Sequence, residues 1–309
     1  MRKKSKKIGC CIFLAVMMFM LVACGNQREG NREGESIIDR EGFPITIPAE
    51  IETIISIGPS NTEIIVGLGL VDKIIQADLH SADIPGITGE IAAMELMSPD
   101  LERIIDLDPD IVFVIGMTRV QGDDDPLRQV SDAGIAVIYM PTSTSIADIK
   151  EDIRFIANVL GADEKGEELV AGMTSEIERI RAIGESITDR RTVYFEISPA
   201  PHMFSFGSGT FLNEMIEVIG AINIFADQEG WIGVADEVLL EANPDVILTS
   251  VNFMDDPEGE IMSRPGWDAI TAVQNGDVFT IDTASSNRQS HNIIRALREM
   301  AEAIYPGKF

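Results

Sequence analysis

The stretch DLERIIDLDPDIVFV (residues 100–114) decides how the chain divides, because a close copy of it follows as DEVLLEANPDVIL (236–248). In both, a glutamate stands seven residues before a Pro-Asp pair and an apolar run follows. Glu102 leads to Pro109-Asp110, and Glu237 leads to Pro244-Asp245. Proline ends a helix and prepares the chain for a strand, so each copy predicts a helix–strand unit. Ser98 is expected at the N-cap of the first unit and Pro99 at its first helical position. Asp100 and Glu102 then fall in the first turn, where the helix dipole favours acids by ~0.3–1 kcal/mol. That local stabilisation accounts for either glutamate alone and leaves the duplication unexplained.

Around the two copies, β-type runs alternate with helical stretches. TIISIG (53–58), DIVFVIG (110–116) and GIAVIYM (134–140) read as strands. PSNTEIIVGLGL (59–70) reads as a helix, with Ser60 and Glu63 spaced as a capping box. The alternation then gives way to two helical stretches in succession, SIADIKEDIRFIANVLG (145–161) and ADEKGEELVAGMTSEIERIRAIGESI (162–187). In the second, Leu169, Met173, Ile177, Ile180 and Ile183 recur at three- and four-residue steps. Alternation restarts at RTVYFEIS (191–198) and continues through DVILTSV (245–251) and DVFTID (277–282). Each half has an opening strand, a helix ending in glycine (Gly69, Gly220) and the Glu…Pro-Asp unit. The expected fold class is α/β: two Rossmann-like lobes with parallel sheets, joined by a single long helix. One continuous sheet with a helix in its middle is the alternative.

The chain has 309 residues, enough for about two domains at roughly 150 residues each. Its first nine residues hold five basic side chains and no acid, and the apolar run over residues 10–23 is short for a membrane span. The run ends in Leu21-Val22-Ala23-Cys24-Gly25, which resembles a bacterial lipobox and implies cleavage after residue 23 and lipidation of Cys24. Residues 24–40 (beginning CGNQREGNREGES) are expected to be a flexible tether, with the lobes at 41–160 and 188–309 and the joining helix at 161–187. No cysteine follows Cys24, so the exported part needs no disulfide. From Cys24 onwards 51 acids face 19 basic residues, a charge that excludes nucleic acid as a partner. The expected location is the extracytoplasmic face of the cell membrane, held there through the lipid.

A tethered, acidic, two-lobed α/β chain outside a membrane resembles the solute-binding component of an ABC importer. More closely it resembles the helix-linked subclass that binds cobalamin, ferric siderophores, haem or free metal ions. SIGPSNTEIIVGLGLVDKIIQAD (56–78), the two repeated units, GTFLNEMIEVIGAINIF (209–225) and RPGWDAITAVQNGDVFTID (264–282) carry the likeness, which covers the chain from about Asp39. It implies a monomer that captures a metal chelate, a corrinoid or a ferric siderophore, between its lobes and delivers it to a permease dimer. It also implies that Glu102 and Glu237, one per lobe, dock into arginine-lined pockets of the two permease subunits.

Ligands of open α/β sheets sit beyond the carboxyl ends of the strands, which selects the loops for the cleft. Pro59, Ser60 and Asn61 lie after the first strand, Arg119 after the DIVFVIG strand, and Phe204 and Phe206 in a Gly/Pro-rich loop. By the resemblance, Trp231 and Phe204 match pocket aromatics of cobalamin binders, and Arg288 matches a cleft arginine. The sequence departs from that pattern at Ile84 and Leu96, where further aromatics are expected, and at His291-Asn292 in place of a Pro-Arg pair. With only His80, His202 and His291, a free-metal site is not expected, and no cofactor is. His202, beside Phe204, is the candidate axial ligand if the cargo is haem. An exported hydrolase is the rival class, yet the chain has no G-x-S-x-G elbow and FGSGTF (206–211) has the wrong spacing. A sensor on the same scaffold stays open.

Overall fold

The computed structural model describes residues 34–119 and 125–309; Cys24, the signal segment and residues 120–124 lie outside the described residues. Folded structure begins earlier than the expected end of the tether. β1 (Glu35–Ile38) pairs antiparallel with β2 (Pro44–Ile47). The turn between them is closed by Asp39, whose Oδ1 accepts from the amides of Glu41 and Phe43. Ile37 and Ile45 pack on the core, so the hairpin belongs to the first lobe.

The N-terminal lobe contains β3 (Ile54–Ile57), α1 (Pro59–Gly67), β4 (Ile74–Asp78), β5 (Ala92–Met94), α2 (Leu101–Leu107), β6 (Ile111–Ile115), α3 (Arg128–Asp132) and β7 (Ala136–Met140). Its five strands are all parallel, in the order β5-β4-β3-β6-β7. Two helices follow, α4 (Ile146–Val159) and α5 (Asp163–Gly184). Ser145 and Asp148 form the capping box that starts α4. α5 matches the expected joining helix.

The C-terminal lobe contains β8 (Thr192–Glu196), β9 (Phe204–Phe206), α6 (Phe211–Ile219), β10 (Ile222–Asn223), β11 (Trp231–Gly233), α7 (Asp236–Ala242) and β12 (Val246–Thr249). It ends with α8 (Pro257–Met262), α9 (Thr271–Asn275), β13 (Val278–Thr280), α10 (Thr283–Asn287) and α11 (Ile293–Ile304). The main sheet is parallel, in the order β10-β8-β12-β13, and β9 pairs antiparallel with β11 in a small second sheet. The opening strand is central in each main sheet, as the duplicated architecture requires.

Side chains alternate across both sheets, which fixes where the cores sit. Ile111 and Phe113 of β6, with Val193 and Phe195 of β8, join one core that includes α4, α5, α6 and α11 and runs through both lobes. The intervening Val112 and Val114 pack into a second core on the outer face of the first sheet. Tyr194 and Ile247 do the same in the second lobe, against Trp267 and Phe225. Sheets buried on both faces explain why the strands read as nearly continuous apolar runs.

The repeated phrase is duplicated down to its hydrogen bonds. α2 ends at Asp108 and α7 ends at Asn243, with φ of 43° and 47°, the only positive-φ non-glycine residues among those described. Asp and Asn tolerate this left-handed geometry better than other side chains. Proline follows in both, and the next aspartate then reaches the opening strand. Asp110 Oδ2 accepts from Thr53 N at 2.9 Å and Thr53 Oγ1 at 3.0 Å; Asp245 Oδ2 accepts from Thr192 N and Oγ1, both at 2.8 Å. Each aspartate amide donates back to the same threonine hydroxyl at 3.0 Å.

Two helix starts differ from the sequence reading. α2 begins at Leu101, capped by Asp100, whose Oδ1 accepts from Arg103 N at 3.0 Å, so Ser98 and Pro99 stay outside it. α1 begins directly after Gly58 with Pro59 in its first turn and no side-chain cap. Ser60 is therefore inside the helix, and Glu63 is turned toward the other lobe instead of toward a capping box. No helix among the described residues is long and apolar enough to cross a membrane.

Candidate functional site

The carboxyl ends of β3, β6, β7 and β8 converge on a cavity of about 390 Å³ between the lobes. That size lies near the lower end of the ~300–1,000 Å³ usual for small-molecule sites. Pro59, Ser60, Asn61 and Ile64 of α1 line it, with Ile115, Met117, Met140, Pro141, Thr142 and Asp152 from the rest of the first lobe. The second lobe contributes Ile197, Phe211, Trp231, Asn287, Arg288 and Gln289. The lining is mainly apolar with a few polar groups, the composition expected of a site for an organic ligand.

Gly58 determines how α1 enters this space. Its φ of 143° and the 2.4 Å that would separate an added Cβ from Ile115 Cγ2 leave room for glycine alone. Its amide donates to Asp78 Oδ2 at 2.9 Å. The first turn of α1, with Ser60 and Asn61, is thereby held at the cavity wall. Asn61 is 3% exposed, and its side-chain nitrogen has no hydrogen-bond partner.

Trp231 stands on the opposite wall, 44% exposed. Phe206 supports it from beneath, edge to face at 6.1 Å, and Phe206 in turn packs on Phe195 at 5.5 Å. Phe206 is fully buried, so the expectation that it contacts a ligand is corrected: paired with Trp231 across the β9–β11 ladder, its ring is covered by Trp231 and packs on Phe195, whereas Phe204 faces Gly233. Phe204, two residues earlier, is exposed but is not part of the cavity lining. Met117, 66% exposed, faces the cavity from the first lobe.

Arg119 does not reach the cavity either. Its guanidinium lies over the Phe43 ring at 3.6 Å and the Tyr139 ring at 4.6 Å, and it pairs with Glu41 at 2.7 Å. Those contacts fasten the β1–β2 hairpin to the lobe, which is a packing role. Arg288 does line the cavity, yet its donors are used between the lobes. It reaches Glu63 Oε1 at 3.0 Å, Asp83 Oδ1 at 2.7 Å and the His80 carbonyl at 2.9 Å. Burial alone would lower the Arg288 pKa; the two carboxylates outweigh it and hold the guanidinium charged. Glu63 also accepts from Ser290 Oγ and from Asn292 Nδ2, and Gln289 N donates to Ser60 Oγ at 3.1 Å. The segment from Arg288 to Asn292 is thus a clasp that ties the second lobe onto α1. His291 and Asn292, where the family pattern expects Pro-Arg, belong to this clasp.

His291 packs against Gly67 outside the cavity, and burial lowers its pKa, which keeps it neutral. His202 is exposed and lines no part of the cavity, so the structure does not bring it to the position of an axial haem ligand. Among the described residues no cluster of histidine, cysteine or carboxylate groups could hold a metal ion.

Glu102 and Glu237 are both exposed and both second in their helices, α2 and α7. Their helices share the left-handed C-terminal end and the Pro-Asp clamp, while at the N-terminal end Asp100 caps α2 and α7 has no side-chain cap. The lining residues not singled out from the sequence are Met140, Pro141 and Thr142 at the end of β7, together with Ile64, Ile115, Met117, Asp152, Ile197, Phe211, Asn287 and Gln289. The carboxyl-end rule applied to β7 would have found the first three.

The family model described as periplasmic binding protein matches residues 54–284, and the chain belongs to that family. It is 31% identical over 98% of its length, and 99% of the relative's, to an uncharacterised ABC transporter substrate-binding lipoprotein, YvrC, of Bacillus subtilis (strain 168). A cobalamin-binding protein of Halobacterium salinarum is 24% identical, over 86% of this chain and 73% of that protein. The solved structure of the molybdate-bound protein MolA from Haemophilus influenzae superposes with a TM-score of 0.75 at 22% identity, covering 89% of this chain and 92% of that one. At that identity the likeness is one of fold. These relatives are solute-binding proteins, and the chain is a binding protein and not an enzyme.

Proposed function

We propose that this member of the periplasmic binding protein family captures a metal chelate in its inter-lobe cavity and delivers it to an ABC permease dimer, from the extracytoplasmic face where a lipid on Cys24 anchors it. The observation that carries the cargo class is the wall formed by Trp231 on a Phe206 and Phe195 stack, facing Met117 across a mainly apolar cavity. A flat ring system such as a corrinoid or an aryl siderophore complex suits such walls. The cavity lining holds no histidine, tyrosine or cysteine among the described residues, which favours a cargo whose metal is already fully ligated over haem. A corrinoid also exceeds 390 Å³, so its outer parts would extend past the Met117 and Trp231 rim.

Glu102 and Glu237 serve as the docking pair. Equivalent carboxylates on pseudo-equivalent lobes suit a partner that is itself a symmetric dimer, and carboxylate–arginine pairing is strong and bidentate. The test is a titration of the purified chain with cyanocobalamin and with ferric siderophores, following tryptophan fluorescence. Of the two tryptophans Trp267 is buried, so quenching reports Trp231. Saturable quenching by a chelate that Trp231→Ala abolishes supports this reading; binding that proceeds unchanged in Trp231→Ala removes that wall from the site.

A further inference from the structure

We infer that the first turn of α1 is a subsite for an oxyanion group of the ligand, a role that rests on the cavity being the ligand site. α1 is nine residues long, begins in the cavity wall and has no side-chain cap. The amides of Ser60 and Asn61 stand in its first turn, where backbone N–H groups have no intrahelical acceptor and the helix dipole favours negative charge. An independent observation points the same way. Asn61 lines the cavity, is only 3% exposed, and its side-chain amide nitrogen is without a partner. A buried donor left unpaired carries a desolvation cost that a ligand acceptor removes.

The carboxylates nearby do not compete for this role, because each already has its donors. Asp152 accepts from Arg40 at 2.7 Å and from Ser143, and Asp78 accepts from Gly58 N and Ser81 Oγ. Glu63 is held by Arg288, Ser290 and Asn292. With the carboxylates satisfied, the buried side-chain atom left unpartnered at this wall, Asn61 Nδ2, is a donor, as are the first-turn amides of Ser60 and Asn61. An acceptor group of the ligand fits them, and a cationic group does not. The chemistry is that of a tetrahedral or planar oxyanion: a phosphate or carboxylate carried on a larger chelate, or a free inorganic oxyanion.

The purified chain is titrated with cyanocobalamin, which carries a phosphodiester, with dicyanocobinamide, which lacks it, and with sodium molybdate and inorganic phosphate. Tryptophan fluorescence reports the cavity, and the side-chain amide resonance of Asn61 reports the subsite. At least one oxyanion-bearing probe is expected to bind, to shift that resonance, and to lose at least tenfold in affinity in Asn61→Asp. Asn61→Ala, which removes a group that has no partner to lose, keeps the fold and is expected to weaken the same probe about tenfold. Cobalamin binding tighter than cobinamide assigns the oxyanion to a larger ligand; binding of molybdate or phosphate alone assigns a free ion. If both variants bind every probe as the parent does, or only cobinamide binds, the subsite is overturned while the cavity remains the ligand site. If no probe binds, the subsite is overturned, and the cavity reading stands or falls on the titration with ferric siderophores.

Discussion

The two helices that carry Glu102 and Glu237 are closed at their C-terminal ends in the same way and attached to their lobes in different ways. In the first lobe Arg103 reaches from α2 to Gln76 Oε1 on β4, at 2.7 and 3.1 Å. In the second lobe Asp236 accepts from Trp267 Nε1 at 3.1 Å, and the Arg264 guanidinium lies over the Trp267 ring at 4.5 Å. Arg264 also holds the buried Glu196 at 2.6 and 3.0 Å, at the end of β8 beside the cavity residue Ile197. The C-terminal ends of the two helices are duplicated; the N-terminal capping and the attachment to the lobe interior have diverged. A feature kept in both halves answers a requirement common to both, which under the proposed function is a symmetric partner. The diverged feature sits in the lobe whose α7 is reached directly from Trp231 on β11.

The largest effect expected from this difference is on stability. Arg264→Ala leaves Glu196 buried without its cation and should cost about 3–5 kcal/mol, whereas Arg103→Ala should cost only ~1 kcal/mol. Denaturant melts that show equal losses would contradict the difference in attachment. The duplicated clamp predicts the reverse pattern. Asp110→Ala and Asp245→Ala should each cost about 1–3 kcal/mol and agree with one another within ~1 kcal/mol. Unequal losses would mean that the Pro-Asp pairs are alike in geometry only.

Next in size are the cavity walls. Trp231→Ala should weaken chelate binding about tenfold, or ~1.4 kcal/mol, and Met117→Ala by less, because a flexible thioether gives a less defined surface than an indole. A titration in which the methionine matters more would move the main contact to the first lobe.

The smallest effect concerns the joining helix. Glu176 on α5 accepts from Arg179 and from Arg298 of α11, and these two guanidinium groups hold its pKa near 2. A folded pKa below the unfolded ~4.3 contributes stability above pH 4 that is lost as pH falls from about 4 to 2. With both arginines about half exposed the contribution is under ~1 kcal/mol. Glu176→Gln should therefore flatten the acid limb of the stability profile slightly, and no change in that limb would contradict it.

Much of the fold was legible because sheets covered on both faces must be written as apolar runs, and α5 declares itself by its periodicity. The helix starts were less legible. Ser60 and Ser98 look like caps, but those positions go to Gly58, directly after β3, and to Asp100, whose carboxylate accepts from Arg103 N. Arg119 could not be placed from sequence, since its partners Asp39 and Glu41 lie about 80 residues away. Likewise Phe204 and Phe206 look alike in sequence, and only the pairing of β9 with β11 separates the exposed ring from the buried one. Of the site, Pro59, Ser60 and Asn61 were readable from loop position, and Trp231 and Arg288 from the family resemblance, while the clasp on Glu63 depends on a contact across 225 residues.

Matched docking from two lobes is tested most directly by ligand uptake in cells carrying Glu102→Ala with Glu237→Ala, alongside chelate affinity of the purified double variant. Uptake should be lost while the dissociation constant stays within about twofold of the parent, since neither glutamate lines the cavity. Uptake that persists at the parent rate, or a large loss of affinity in the purified protein, would contradict the role assigned to the repeated glutamate.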